Sequence, residues 1–132
     1  MKNNKGFTLI ELLVVIALIG IIAGLLFVYI NPQKRTDDAN DSKVKSNLAG
    51  VVSQASVSFS NNGNVYTEVC NENEVRKLAG LEAGEKYPGV CNAGEHFWVV
   101  SRKLPSGKYW CVDWKSNKKE LDSQITSTQT EC

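Results

Sequence analysis

Between Phe7 and Ile30 the chain reads FTLIELLVVIALIGIIAGLLFVYI, and one side chain in those 24, Glu11, is charged. The 19 residues from Leu12 to Ile30 are uncharged, about 28 Å of helix at ~1.5 Å per residue. A hydrocarbon core is about 30 Å thick, so the run predicts a membrane span. The six residues before it, MKNNKG, carry two lysines and no acid. That bias keeps the leader cytoplasmic and sends the C-terminal part across.

Two plainer explanations leave something over. A secretory signal peptide has a shorter apolar region, about 7–15 residues, and ends in an A-x-A-like site that is missing here. A simple signal anchor accounts for the length but not for Glu11. A carboxylate at the bilayer centre costs roughly 2.5–3.5 kcal/mol on insertion scales and less near the interface, so it usually has a partner.

Residues 6–24, GFTLIELLVVIALIGIIAG, closely resemble the type III signal sequence of type IV prepilins and of the pseudopilins of type II secretion. The shared pattern is a Gly6-Phe7 junction, Thr8 next, Glu11 as fifth residue after the junction, then a long aliphatic run. The resemblance implies that a prepilin peptidase cuts after Gly6 on the cytoplasmic side and that the new amine of Phe7 is N-methylated. The apolar segment then stays attached, first as membrane anchor and later as filament core. Glu11, buried among packed helices, needs a cation. The resemblance assigns that role to the Phe7 amine of a neighbouring subunit, while the chain's own Phe7 lies one turn away at i, i+4. The intersubunit pair would fix register, because an axial slip leaves the acid unpaired.

The resemblance further implies an α+β, pilin-like fold: a long N-terminal helix, half membrane-spanning and half amphipathic, packed on a small antiparallel sheet. The expected segments are a leader at 1–6, an apolar helix at 7–30, its amphipathic continuation at 31–60 and a globular head at 61–132. Asn31-Pro32 predicts a boundary or kink between the helical parts. Many pilins carry a proline inside the apolar run; this chain has Gly20 and Gly24 there instead. Past it, Val44, Leu48, Val51, Val52, Ala55 and Phe59 recur at three and four residues, one apolar helix face. Asn71 is the expected N-cap of a short helix over 72–81, and 86–92, with Pro88-Gly89, reads as loop. Phe97–Leu104 and Lys108–Trp114, joined by Pro105-Ser106-Gly107, form the clearest hairpin. Alternation groups Trp98, Val100 and Leu104 on one face and Trp110, Val112 and Trp114 on its partner's. Residues 123–131, rich in Ser and Thr, read as weak strand or tail.

All four cysteines, Cys70, Cys91, Cys111 and Cys132, fall in the expected head. An even count in a part that leaves the cytoplasm predicts two disulfides, with three possible connectivities. Cys70–Cys91 with Cys111–Cys132 closes the most local loops, and the second pair resembles the C-terminal disulfide loop of pilins. A zinc site is the competitor, but the chain lacks C-x-x-C spacing.

Nothing in the sequence points to an enzyme, a cofactor or a metal. His96 is the one histidine and suggests no nucleophile–base pairing. Asp37, Asp38 and Asp41 suit a helix start better than a cation site. The calcium loop of major secretion pseudopilins has no convincing counterpart, which favours a pilin. Overall charge is +1, excluding a generally basic nucleic-acid coat, and loss of Lys2 and Lys5 would turn it to −1. Within 97–119, however, Arg102, Lys103, Lys108, Lys115, Lys118 and Lys119 face one acid, Asp113, and the three tryptophans lie in the same stretch. That stretch is either a hairpin core with a solvated basic rim or a surface for DNA or another anion.

The expected protein is thus a structural subunit of a type IV pilus-like filament. Its partners would be copies of itself, the prepilin peptidase, inner-membrane lipid before assembly, and an assembly ATPase with a platform membrane protein. It would be single-pass in the inner membrane, then extracellular in the fibre. A type II secretion pseudopilin or a minor, priming or tip pilin is the near alternative. A monomeric membrane-anchored binding module, with DNA as its ligand, is the distant one.

Overall fold

A computed structural model describes residues 6–29 and 32–132. Among them, α1 spans Leu9–Tyr29 and α2 spans Pro32–Asn61; a 3-10 turn at Val69–Asn71 leads into α3, Asn73–Ala79. Four strands follow: β1 (Gly89–Ala93), β2 (Trp98–Lys103), β3 (Tyr109–Asp113) and β4 (Lys118–Leu121). They form one sheet in chain order, antiparallel throughout. This is an α+β arrangement consistent with a pilin-like fold. The chain divides into two compact units, one ending at Arg35 and the other Thr36–Cys132.

In the first unit α1 runs unbroken through Gly20 and Gly24 and buries none of its side chains. A helix apolar on all sides whose side chains stay exposed needs lipid or other helices as solvent. Its 21 residues give about 32 Å, enough to cross a bilayer. Pro32 is the first residue of α2, where a missing N–H removes no helical bond. Ile30 and Asn31, at the expected kink, lie outside the described residues.

In the second unit α2 buries Asp41, Val44, Leu48, Val51, Ala55 and Ser58, alternating steps of three and four. Leu48, Val51 and Ala55 pack with Trp98 and Val100 of β2, Val112 of β3, and Val69, Val75 and Ala79. Polar groups close both ends of the stripe. Asp41 Oδ1 accepts the Ser106 N–H at 3.1 Å, pinning the β2–β3 turn, and Ser58 Oγ donates to Glu72 Oε1 at 3.3 Å. On the opposite sheet face Val99 and Cys111 pack under Ile125 from the C-terminal segment. Both faces are therefore covered.

Four local expectations are corrected. Residues 89–92 are not loop but most of β1; Gly89 begins the strand, and a Cβ there would collide with the Ala79 carbonyl oxygen. Asn71 does not cap α3. Glu72 holds that position without a side-chain bond, and the Asn71 amide donates instead to Glu68 Oε2 at 3.0 Å. Trp114 does not share the face of Trp110 and Val112. Alternation stops at Asp113, where the chain turns, and Trp114 is 41% exposed with Lys115 Nζ 5.2 Å from its ring centroid. Finally, Lys118–Leu121, of which the sequence marks only the two lysines as a basic pair, forms the edge strand β4. Charged side chains suit such an edge because they discourage unwanted pairing.

Candidate functional site

Gly6, Phe7 and Thr8 lie outside regular secondary structure, immediately before the first residue of α1. Phe7 is 83% exposed. The Gly6–Phe7 bond is thus presented in an irregular, exposed strip, as a protease needs, and the helix begins just beyond it.

Thr8 and Glu11 close the start of that helix. The Thr8 N–H and hydroxyl both donate to Glu11 Oε2, at 2.9 and 2.8 Å, and the Glu11 N–H reaches back to Thr8 Oγ1 at 3.4 Å. This is a capping box, in which residue and N-cap satisfy each other's free donors. The acid also sits at the positive end of the helix dipole. Beside it, Phe7, Ile10, Val14 and Val15 line a shallow apolar groove. Phe7 here contributes an amide, not an amine, and among the described residues Glu11 meets the Thr8 hydroxyl and backbone N–H.

In the second unit Cys70 is bonded to Cys91 and Cys111 to Cys132. The first bond ties the 3-10 turn to β1. The second ties β3 to the end of the C-terminal segment.

The six basic residues of 97–119 do not form one surface. Arg102 is buried: Nε donates to Tyr87 O at 2.9 Å, Nη1 to Leu78 O at 2.9 Å and Nη2 to Glu85 Oε2 at 2.8 Å. Alternation places it on the α2 side of β2 between Val100 and Leu104, where it closes the C-terminus of α3 at Gly80. Gly80 has φ +69° and room for no Cβ, since one would press on the guanidinium. Arg102 is therefore removed from the anion-binding set. Lys108 reaches Glu120 at 3.3 Å and Asp122 at 3.5 Å; hydrogen bonding to Glu120, then the charge of Asp122, raises its pKa above the usual lysine value. Lys115 meets Glu131 at 2.6 Å. Lys103, Lys118 and Lys119 make no ion pair among the described residues. Trp98 is core, and Trp110 is half-buried with Lys45 Nζ 4.6 Å from its ring centroid.

His96 is exposed, 3.9 Å from Glu95. Among the described residues no group of three His, Cys, Asp or Glu side chains is arranged to hold a metal ion.

Two polar residues carry more structure than their sequence context announces. Arg102 has a faint signal, a cation inside an alternating apolar face. Asp113, buried with four hydrogen bonds, has a fainter one in Asn117 four residues on.

Residues 1–27 match the family model described as the prokaryotic N-terminal methylation motif. The N-terminus is thus a prepilin signal of the kind that type IV pilins and pseudopilins share. No curated protein and no solved structure matches the chain.

Proposed function

We propose that this chain is a structural subunit of a type IV pilus-like filament, cut between Gly6 and Phe7 by a prepilin peptidase. The reading rests on one observation: the methylation motif, residues 1–27, takes in most of a helix, Leu9–Tyr29, none of whose side chains is buried among the described residues. Cleavage before that helix, rather than after it, keeps the apolar surface attached. Lipid covers it first and the helices of other subunits cover it later.

Hydrolysis of the Gly6–Phe7 bond leaves a carboxylate on Gly6 and an amine on Phe7, which is then N-methylated. The amine is a cation that the uncut chain lacks. In the filament it pairs with Glu11 of a neighbouring subunit, replacing the Thr8 contacts, and the pairing sets the axial stagger. Residues 7–30 and 31–60 form the filament helix and 61–132 the disulfide-closed head. The subunit waits in the inner membrane with its head outside the cytoplasm, and an assembly ATPase and platform membrane protein drive polymerisation.

A secretion pseudopilin or minor pilin shares all of these steps and differs in the length and place of the fibre. The test common to them is the mass of the N-terminal peptide from membranes of cells that hold a prepilin peptidase. The reading predicts a chain beginning at N-methylated Phe7. A chain retaining Met1–Gly6 under those conditions contradicts it and favours a monomeric anchored binding module.

A further inference from the structure

β3 ends on Asp113, a fully buried carboxylate that meets no cation among the described residues. Its Oδ1 accepts the N–H groups of Lys115 and Asn117, each at 3.0 Å. Its Oδ2 accepts the Asn117 side-chain amide and the Cys132 N–H, each at 2.9 Å. One carboxylate thus shapes the β3–β4 turn and grips the residue that carries the last sulfur.

The segment ending at Cys132 has other non-covalent holds. Ile125 packs on Val99 and Cys111, and its N–H donates to Ser101 Oγ at 3.4 Å. The Asn92 amide donates to the carbonyls of Thr126 and Gln129 at 2.8 and 2.9 Å. These non-covalent contacts hold the segment across the sheet face opposite α2, alongside the Cys111–Cys132 bond. Asp113 and Cys111 are two apart on β3 and so point to that same face. Cys91 pairs in register with Val100 and belongs to the other face, towards α2.

We propose that Asp113 is the positioning residue for oxidation of the Cys111–Cys132 pair: while both are still thiols, its carboxylate draws the Cys132 amide to the end of β3 and so selects Cys111 as partner. The oxidant is a disulfide of the glutathione or thiol–disulfide oxidoreductase class. The thiolate of Cys132, the less buried of the two, attacks one oxidant sulfur, forming a mixed disulfide and releasing the first oxidant thiolate. The Cys111 thiolate then attacks Cys132 Sγ, closing the bond and releasing the second. Two cysteine thiols lose two protons and two electrons; the oxidant disulfide gains both and leaves as two thiols. A charge-assisted hydrogen bond favours the seated arrangement and so raises the effective concentration of one sulfur at the other.

The full-length chain in detergent micelles is reduced, reoxidised in a glutathione buffer, quenched with maleimide at intervals and mapped by peptide mass. In Asp113→Asn, which keeps the volume but replaces an acceptor with a donor, closure of Cys111–Cys132 slows roughly tenfold. Cys132 then accumulates as glutathione adduct or in wrong pairs, while Cys70–Cys91 forms at the normal rate in the same molecules. Asn117→Ala, which leaves the carboxylate and its bond to Cys132 in place, closes close to the wild-type rate. Wild-type closure in Asp113→Asn overturns the proposal. So does equal slowing of both disulfides, which makes Asp113 a general folding determinant, and so does equal slowing in Asn117→Ala.

Discussion

The hydroxyl of Thr8 lies 2.8 Å from Glu11 Oε2 and donates to it, with the Thr8 N–H joining at 2.9 Å. The acid thus has polar partners before any cleavage has made an amine. That matters for a carboxylate at the head of an apolar helix, because without partners it bears the full cost of desolvation. On the function proposed above, the precursor and the filament would differ in what Glu11 meets: the Thr8 cap first, a cation later.

Replacing Glu11 by Ala or Lys separates those two stages. The Gly6–Phe7 bond lies outside the helix and stays accessible, so processing continues near the wild-type level. Fibre assembly falls to background, since no acid remains to meet the amine. The processed and unprocessed forms resolve on a gel, and sheared surface fractions report fibres. Normal fibres from either variant contradict the role assigned to Glu11. Thr8→Ala should loosen the first turn by about 1 kcal/mol, the usual worth of an N-cap, read as faster amide exchange there.

Arg102 makes a separate prediction because its contacts are internal. Arg102→Ala leaves the carbonyls of Leu78 and Tyr87 without their donor and breaks the bond to Glu85. A loss of about 2–4 kcal/mol follows, by analogy with other buried charged hydrogen bonds. Arg102→Lys recovers part of it, since one ammonium cannot reach all three acceptors in the guanidinium's geometry. Denaturant midpoints of the full chain in detergent measure both. An unchanged midpoint for Arg102→Ala contradicts the assignment.

The pH dependence of the Lys108 cluster has a definite sign. The folded pKa of Lys108 is raised above the ordinary lysine value by Glu120 and Asp122. Its contribution is therefore fully present below the unfolded pKa and is lost as pH rises through the folded one. Thermal midpoints of wild type and Lys108→Met should differ slightly at neutral pH and converge in strongly alkaline buffer. A difference that grows with pH contradicts the pairing.

The basic hairpin should be a poor DNA ligand. Arg102 is buried, and Lys108 and Lys115 already face acids, which leaves Lys103, Lys118 and Lys119. Three phosphate contacts give a log–log salt slope of at most about 3. Filter retention of DNA by the full chain should be lost at ~150 mM salt. A steeper slope, abolished by substituting Lys103, Lys118 and Lys119 with Ala, restores the DNA-binding reading.

Sequence and structure agree where a pattern is carried by side chains close together in the chain. The apolar run to Tyr29 and the three-and-four stripe from Val44 to Ala55 needed only local periodicity. So did the β2–β3 hairpin, marked by alternation around Pro105-Ser106-Gly107. β4 escaped because Lys-Lys-Glu-Leu is an edge strand held by backbone pairing, with no apolar alternation to mark it. β1 escaped because Pro88-Gly89 signals a turn, whereas Gly89 begins the strand and passes close to Ala79. Arg102 has its partners in segments distant along the chain, so charge counting grouped it with lysines that the fold sets apart, and Asp113 was counted only as the one acid among them. The Thr8–Glu11 box is local, a Thr three residues before a Glu at the head of an apolar run.

The central claim is that the apolar helix ends up in a fibre made of this chain, cut at Gly6 and methylated at Phe7. The most direct measurement shears surface filaments from cells producing the protein, images them by electron microscopy and sequences their subunits by mass spectrometry. The account predicts thin fibres whose repeating subunit is residues 7–132 with N-methylated Phe7. Fibres lacking this chain, with the protein found in the inner membrane as an uncut monomer, would contradict it.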